Sequence, residues 1–319
     1  MDNISLELTP AMQAYLVGLI YRNTRTGCLS LSAVCAHVSH DRLQRMLYEK
    51  FAWSRRLWDC FGARMVREGG HLVIDDTAWA RWAVQSEAVS WVWSSTHGRV
   101  LRGHQVVLLI WTDGVVRVPL GLRLWRKGGY SKVELAGQLL REAARRGMRP
   151  EYVLFDSWYA AAGLLHLLES LGWKYVARLK SDRLFEGRAV RERWPHRFGR
   201  AVGKLRRVNH KVVAVKDGRR YFVANDTGLS SSELKRHYRL RQQIEEVFRL
   251  LKQEFGWGGA SAQKARAQVA HLHLGLYALC ITEQTAIKGG QTIYSFKRKL
   301  FRLPIPEHLP QLEELSLAA

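Results

Sequence analysis

Residues 71–76, HLVIDD, form a short apolar, β-branched run that stops at two aspartates, and a patterned region follows them. HQVVLLIW, a turn at Asp113-Gly114 and VVRVPLGLRLW read as a hairpin. A helix is expected over residues 131–146, then a strand in EYVLFD, a helix in AAGLLHLLESLG and a strand in WKYVARLK. The order strand, strand, strand, helix, strand, helix, strand argues for an α/β sheet with at least one right-handed crossover.

Two of these strands end in carboxylates, Asp75 or Asp76 in the first and Asp156 in YVLFD. The carboxyl ends of strands in an open α/β sheet are where ligands bind. Taken alone, Asp156 reads equally well as a turn residue or as the cap of the helix that follows. A third carboxylate lies further on, in HYRLRQQIEEVFRLLKQEFGW, residues 237–257. At about 100° per residue, Tyr238, Arg241, Glu245 and Lys252 fall within an arc of roughly 60°. Beside them Leu240, Ile244, Val247, Phe248, Leu251 and Phe255 form the apolar stripe of a packed helix. The plain alternative is an amphipathic helix with an Arg241–Glu245 pair, worth a few tenths of a kcal/mol. Three convergent carboxylates, by contrast, repel one another unless cations sit among them, and hard oxygen ligands select Mg²⁺ or Mn²⁺. Two such ions about 4 Å apart are a standard means of cutting or joining phosphodiesters.

The charge agrees with that chemistry. The 319 residues carry 50 Lys or Arg against 28 Asp or Glu, a formal +22, which calls for a polyanionic partner, nucleic acid foremost. Over residues 178–220 there are 15 basic against 4 acidic residues, in strand-like runs (KVVAVK, RYFVAN) broken by Gly and Pro. This reads as a basic β-rich insertion in contact with phosphate, the alternative being a solvated charged face. Trp194, Phe198 and Tyr221 within it either stack on unpaired bases or pack in the core. Ser231 or Ser232 is expected to cap the helix that comes next.

With 47% hydrophobic residues and 12 tryptophans the chain can bury a large core, in one large domain or in two or three. The longest uncharged stretch, residues 267–282, is shorter than the roughly 20 residues of a bilayer span and reads as a buried helix, so no membrane partner is expected. Asp2 and Glu7 do not fit a secretory signal, and a cytoplasmic protein is expected. Cys28, Cys35, Cys60 and Cys280 form no C-x-x-C pair. Cys35 with His37 and His40 lacks the second half of a zinc site, so reduced thiols are expected. The first 70 residues are helical in pattern, in MQAYLVGLIYRN, SLSAVCAHV and DRLQRMLYEKFAWSRRLWDCFGARMVRE, with Ser39 or Asp41 as a cap. They suit a helix-turn-helix-like DNA-binding module and a plain helical cap equally.

Tyr238-x2-Arg241-x3-Glu245-x6-Lys252 resembles the Y-x2-R-x3-E-x6-K signature of the DDE transposases of the insertion-sequence-four superfamily, bacterial insertion-sequence enzymes. LVIDDT and YVLFDSWYAAAGLLHLLESLGWKYVARLK resemble the segments bearing that family's two aspartates, so that the likeness covers roughly residues 71–280. The resemblance implies an α/β fold with an RNase H-like catalytic core, a β-rich insertion and an all-helical amino-terminal region. The expected organisation is a helical DNA-binding region over 1–70, the first part of the core over 71–180, the insertion over 181–230, core helices carrying the Glu over 231–290 and a tail over 291–319. The implied activity is cut-and-paste transposition: Mg²⁺-dependent cleavage at inverted-repeat ends and strand transfer into target DNA, by a homodimer on double-stranded DNA in the bacterial nucleoid. Asp75 or Asp76, Asp156 and Glu245 would be the catalytic carboxylates. Asp75, Asp156 and Glu245 are preferred as ligands of two Mg²⁺ ions, with Mn²⁺ as a substitute. Tyr238, Arg241 and Lys252 would contact DNA phosphates. One departure is Gln242, where relatives often carry tryptophan. A nuclease without strand transfer and a non-catalytic DNA-binding regulator are the rival readings.

Overall fold

The structure, a computed structural model, describes residues 8–21, 27–35, 37–81, 85–94, 97–260 and 262–306. Asp2 and Glu7, the last two residues of the first expected helix, and positions 307–319 of the expected tail lie outside the described residues.

Helices α1 (Pro10–Tyr21), α2 (Cys28–Val34), α3 (His40–Tyr48) and α4 (Trp53–Phe61) precede strands β1 (His71–Ala80), β2 (Ser90–Ser94), β3 (Arg99–Thr112) and β4 (Arg117–Leu124). There follow α5 (Lys132–Arg145), β5 (Tyr152–Phe155), α6 (Ala162–Ser170) and β6 (Tyr175–Leu179). Next come the short β7 (Leu184–Phe185) and β8 (Arg188–Ala189), the single turn α7 (Val190–Arg193), and β9 (Phe198–Gly203), β10 (Val212–Asp217) and β11 (Arg220–Ala224). The chain continues with α8 (Ser231–Arg239), α9 (Gln242–Gln253), α10 (Ala265–Lys288) and α11 (Ile293–Leu300). Two compact units emerge, one of residues 1–63, 77–105 and 246–319, the other of 64–76 and 106–245.

The second unit holds most of a large mixed sheet, in the order β3-β1-β5-β6-β11-β10-β9, with β4 paired to β3. β1, β5 and β6 are parallel, His71 facing Tyr152 and Val153 facing Tyr175, while β11, β10 and β9 continue the sheet antiparallel. All four residues of β5 and residues 71–74 of β1 are buried. That is why LVI and YVLF are unbroken apolar runs: an interior parallel strand is covered on both faces and does not alternate. The hairpin turn between β3 and β4 is set by Asp113, whose Oδ1 accepts from the amides of Val115 (2.9 Å) and Val116 (2.7 Å), and by Gly114 at φ 102°. Ser131 caps α5 in a reciprocal box with Glu134.

In the first unit α10 is buried almost all round, as the uncharged stretch over residues 267–282 implies, and α1 packs on it. Gly275 of α10 admits the Trp257 indole, since a Cβ there would lie 2.7 Å from Cδ1 of Trp257. The indole Nε1 donates to Leu272 O at 2.8 Å. Residues 293–300, within the expected tail, form α11. Its Lys297, 1% exposed, donates to the carbonyls of Leu19 (2.9 Å) and Ile20 (2.8 Å). These carbonyls end α1 and have no partner within that helix.

Several local expectations change. The cap of α8 is Ser230, not Ser231 or Ser232, because the reciprocal bond with Glu233 fixes the spacing at three. The third amino-terminal helix is two, α3 capped by Ser39 and then α4. The break lets Phe51 pack on Trp53 at 4.5 Å between ring centroids. β2 was not expected; it pairs with residues 99–103 of β3. All four cysteines are free. No helix among the described residues is long and apolar enough to cross a membrane.

Candidate active site

Asp75 and Asp76 follow the buried part of β1, and alternation along the strand sends their side chains to different partners. Asp76 is engaged by the Lys132 ammonium at 2.9 and 3.1 Å and by the Tyr159 hydroxyl at 2.8 Å. Asp75 accepts from Arg241 Nη1 at 2.5 Å through Oδ2. Burial pushes the Asp75 carboxyl up to about 7; Arg241 pulls it down, and the charges of Asp156 and Asp76 raise it again. Asp156 is therefore part of the same electrostatic cluster.

Asp156 follows β5 and does make a turn. Its Oδ1 accepts from the amides of Trp158 (2.9 Å) and Tyr159 (3.3 Å). It does not cap α6, whose cap position is Ala161. Oδ2 of Asp156 accepts no hydrogen bond among the described residues. The turn also presents Trp158, 53% exposed, with the ammonium groups of Lys132 and Lys180 at 4.6 and 4.9 Å from its ring.

The single helix expected across residues 237–257 is instead two helices. α8 ends at Arg239 and α9 begins at Gln242. The turn between them is tightened by bonds from Leu240 N to His237 O and from Arg241 N to Tyr238 O, both 3.0 Å. It is anchored on the β3–β4 turn: Gln243 Nε2 donates to Gly114 O at 3.1 Å, and Leu240 lies close enough to Gly114 that a Cβ there would meet it at 3.4 Å. From this turn Arg241 reaches both Asp75 and, through Nη2, Glu245 Oε1. Burial works against the guanidinium charge, but Asp75, Tyr238 and Glu245 together hold its pKa above the ordinary value. Glu245 itself is half-exposed.

Tyr238 packs edge-on against Phe222, and its buried hydroxyl has no hydrogen-bond partner among the described residues. Its pKa is pushed up to about 12, first by burial, against the pull of Arg241 and Arg178 and with the help of Asp156 and Asp75. Lys252 belongs to the other unit, where its ammonium donates to Ala78 O at 3.0 Å and burial lowers its pKa. The structure thus gathers Asp75, Asp76, Asp156, Tyr238, Arg241 and Glu245 in one unit, while Lys252 bonds elsewhere. Lys132, Trp158 and Tyr159 are additions. The aromatic pair was legible in DSWY directly after Asp156, whereas nothing near Lys132 marks it.

Beside Asp156, two clefts of about 420 and 470 Å³ share Ser157 and Lys180. One is lined by Arg183, Arg206 and Arg207, the other by Arg178, Arg191 and Arg219. Part of the basic run over residues 178–220 therefore lines concave surface that reaches Ser157, the residue after Asp156, with Asp182 as an acidic member of both clefts. Of its aromatics, Tyr221 is buried and Phe198 exposed.

Asp75 gives a pH signature. Between about pH 4 and 7 the folded state keeps the Asp75 proton that the unfolded chain has released. In chelator this group alone therefore makes stability fall as pH rises through that window, by at most about 1.4 kcal/mol per pH unit. Asp75→Asn is expected to remove that component. Denaturant midpoints of both proteins at pH 4.5, 5.5, 6.5 and 7.5 check it; parallel curves would show that Asp75 does not carry the raised pKa.

The profile of the family described as DDE superfamily endonuclease matches residues 7–221, and the chain belongs to that family. The match stops ahead of Tyr238, Arg241, Glu245 and Lys252. Among solved structures, the piggyBac transposase synaptic complex with hairpin DNA is similar to the chain at 14% identity, over 94% of this chain and 72% of that one, with a TM-score of 0.56. The two share a fold. The NurA nuclease from Sulfolobus solfataricus aligns at 10% identity, over 54% of this chain and 72% of that one, with a TM-score of 0.29. No curated protein matches the sequence.

Proposed function

We propose that this chain is a DNA transposase that cuts at the ends of a mobile element and joins them to target DNA. The observation that carries the reading is the single Arg241 guanidinium held between Asp75 and Glu245, with Asp156 acting on the same carboxylate. A cation already bridges the carboxylates from β1 and α9, and the charge of Asp156, after β5, acts on the first of them.

Asp75, Asp156 and Glu245 would hold the divalent ions; an all-oxygen donor set suits Mg²⁺, with Mn²⁺ as a substitute. Asp75 is preferred to Asp76 in that set because it shares Arg241 with Glu245, whereas Asp76 bonds Lys132 and Tyr159. Such ions, when bound, activate an attacking oxygen and stabilise a leaving one. The protein's own groups act on the DNA. Arg241 exchanges carboxylate for phosphate, the unpartnered Tyr238 hydroxyl donates to a phosphate oxygen, and Lys252 gives up Ala78 O for the same purpose. The arginines beside Asp156 track the duplex, a contact weakened by salt. Assignment to the insertion-sequence-four group, an RNase H-like core, a DNA-binding role for the amino-terminal helices and a dimer on paired ends complete the reading, on the strength of the Tyr-Arg-Glu-Lys spacing.

Trp158 offers a ring to a base unpaired at the cut. Base stacking of this kind is worth roughly 1–3 kcal/mol, so Trp158→Ala is expected to weaken binding of a duplex with an unpaired end about tenfold and of an intact duplex little. Fluorescence anisotropy on the two DNAs checks this; equal losses would remove the stacking role. The function itself is tested with a pre-cut end bearing a 3′-hydroxyl and a supercoiled target plasmid. Metal-dependent strand-joined products are expected, while hydrolysis without joining would make the protein a nuclease.

A further inference from the structure

A second cluster lies apart from the carboxylates, at the other ends of the same strands. His71 opens β1, four residues ahead of Asp75, and Glu151 immediately precedes β5, five ahead of Asp156. At about 3.3 Å per residue this is a separation on the order of 13 Å along β1. His237, from α8, completes the group, and one ligand atom from each residue lies within 4.8 Å of the others. His71 Nε2 is 2.9 Å from His237 Nδ1 and 3.8 Å from Glu151 Oε2, and His237 Nε2 is 3.8 Å from Glu151 Oε1. Neighbouring ligands around a tetrahedral zinc ion, with bonds of about 2.0–2.1 Å, stand about 3.3 Å apart; His71 Nε2 has His237 Nδ1 and Glu151 Oε2 on either side of that spacing, and a bound ion would take the place of the hydrogen bond between the two imidazoles.

We propose that His71, Glu151 and His237 form a metal site for a zinc-type divalent ion, distinct from the Mg²⁺ cluster. Two imidazoles and a carboxylate are borderline ligands that select zinc over magnesium. The imidazoles are 5% and 7% exposed, and their pKa values are lowered chiefly by burial, so both are neutral and able to ligate at neutral pH. Glu151 is half-exposed and gives the ion a way in, with water filling the remaining position. Tyr152 flanks His237 at 4.4 Å between ring centroids and holds its orientation. The site staples α8 to the starts of β1 and β5. Because Tyr238 is the next residue and Arg241 the next turn, a bound ion fixes the helix that delivers them to the carboxylates.

The test uses untagged full-length protein, stripped with chelator and titrated with Co²⁺, whose tetrahedral complexes absorb strongly in the visible. One equivalent is expected to produce that band, Zn²⁺ to displace it, and the melting temperature to rise with either metal. Glu151→Gln, at a half-exposed position that should not disturb folding, and His237→Gln are each expected to weaken Co²⁺ binding at least tenfold. Glu245→Gln should leave the band intact. A wild-type protein without the band, a band that persists in both Glu151→Gln and His237→Gln, or one lost in Glu245→Gln would each overturn the proposal. None of these results depends on whether the protein cuts DNA.

Discussion

Glu245→Gln is expected to lower Mn²⁺-dependent nicking of supercoiled plasmid at least about a thousandfold while leaving DNA affinity within about twofold. The substitution keeps size and shape, and the amide oxygen still accepts from Arg241, so the turn between α8 and α9 should survive. The position is half-exposed, and no core contact is lost. What disappears is one of three negative charges that would bind the ions. Metal stabilisation of a phosphoryl transition state amounts to several kcal/mol, and each 1.36 kcal/mol is a factor of ten in rate. Asp75→Asn should also stop cleavage but is a poorer discriminator, because it removes the better-buried partner of Arg241. Nicking retained in Glu245→Gln, with plasmid binding measured in parallel, would show that Glu245 is not one of the catalytic carboxylates.

Trp257→Ala is expected to destabilise the protein by about 3–5 kcal/mol, the range for truncating a buried aromatic. The indole is fully buried and packs on Phe248 of α9 and on Trp79 of β1, at 6.3 and 5.8 Å between centroids. It also fills the space that Gly275 leaves in α10 and donates to Leu272 O. Truncation leaves a cavity and a buried carbonyl without its side-chain donor. Urea unfolding of the two proteins reads the change directly. A loss below about 1 kcal/mol would mean that α9 and α10 do not depend on this contact.

Much of the sheet was legible because burial and period agree. LVI and YVLF are unbroken apolar runs, as interior parallel strands must be, and the aspartates that end them stand out against that background. The Asp75–Asp76 ambiguity could not be resolved from residues that share a motif. Lys132 and Tyr159, 56 and 83 residues away, bond Asp76, while Arg241 joins Asp75 to Glu245, and this favours Asp75 as the ligand. The break at residues 240–241 was equally hidden, since no Gly or Pro marks it. It packs against the Gly114 turn, which belongs to a distant hairpin. The His71, Glu151 and His237 cluster is scattered over 166 residues, and only the parallel pairing of β1 with β5 and the position of α8 bring it together.

In the proposed function Asp75, Asp156 and Glu245 direct metal-dependent chemistry at the ends of a DNA element. The most direct measurement takes an end-labelled duplex spanning the inverted repeats that flank the gene. It is incubated with the protein in Mg²⁺, in Mn²⁺ and in chelator, alongside Glu245→Gln, and the strands are resolved on a denaturing gel. Cuts at the repeat boundary that require metal and vanish in the variant are the expected result. Binding without cleavage in either metal, or cuts that persist in the variant or in chelator, would contradict it.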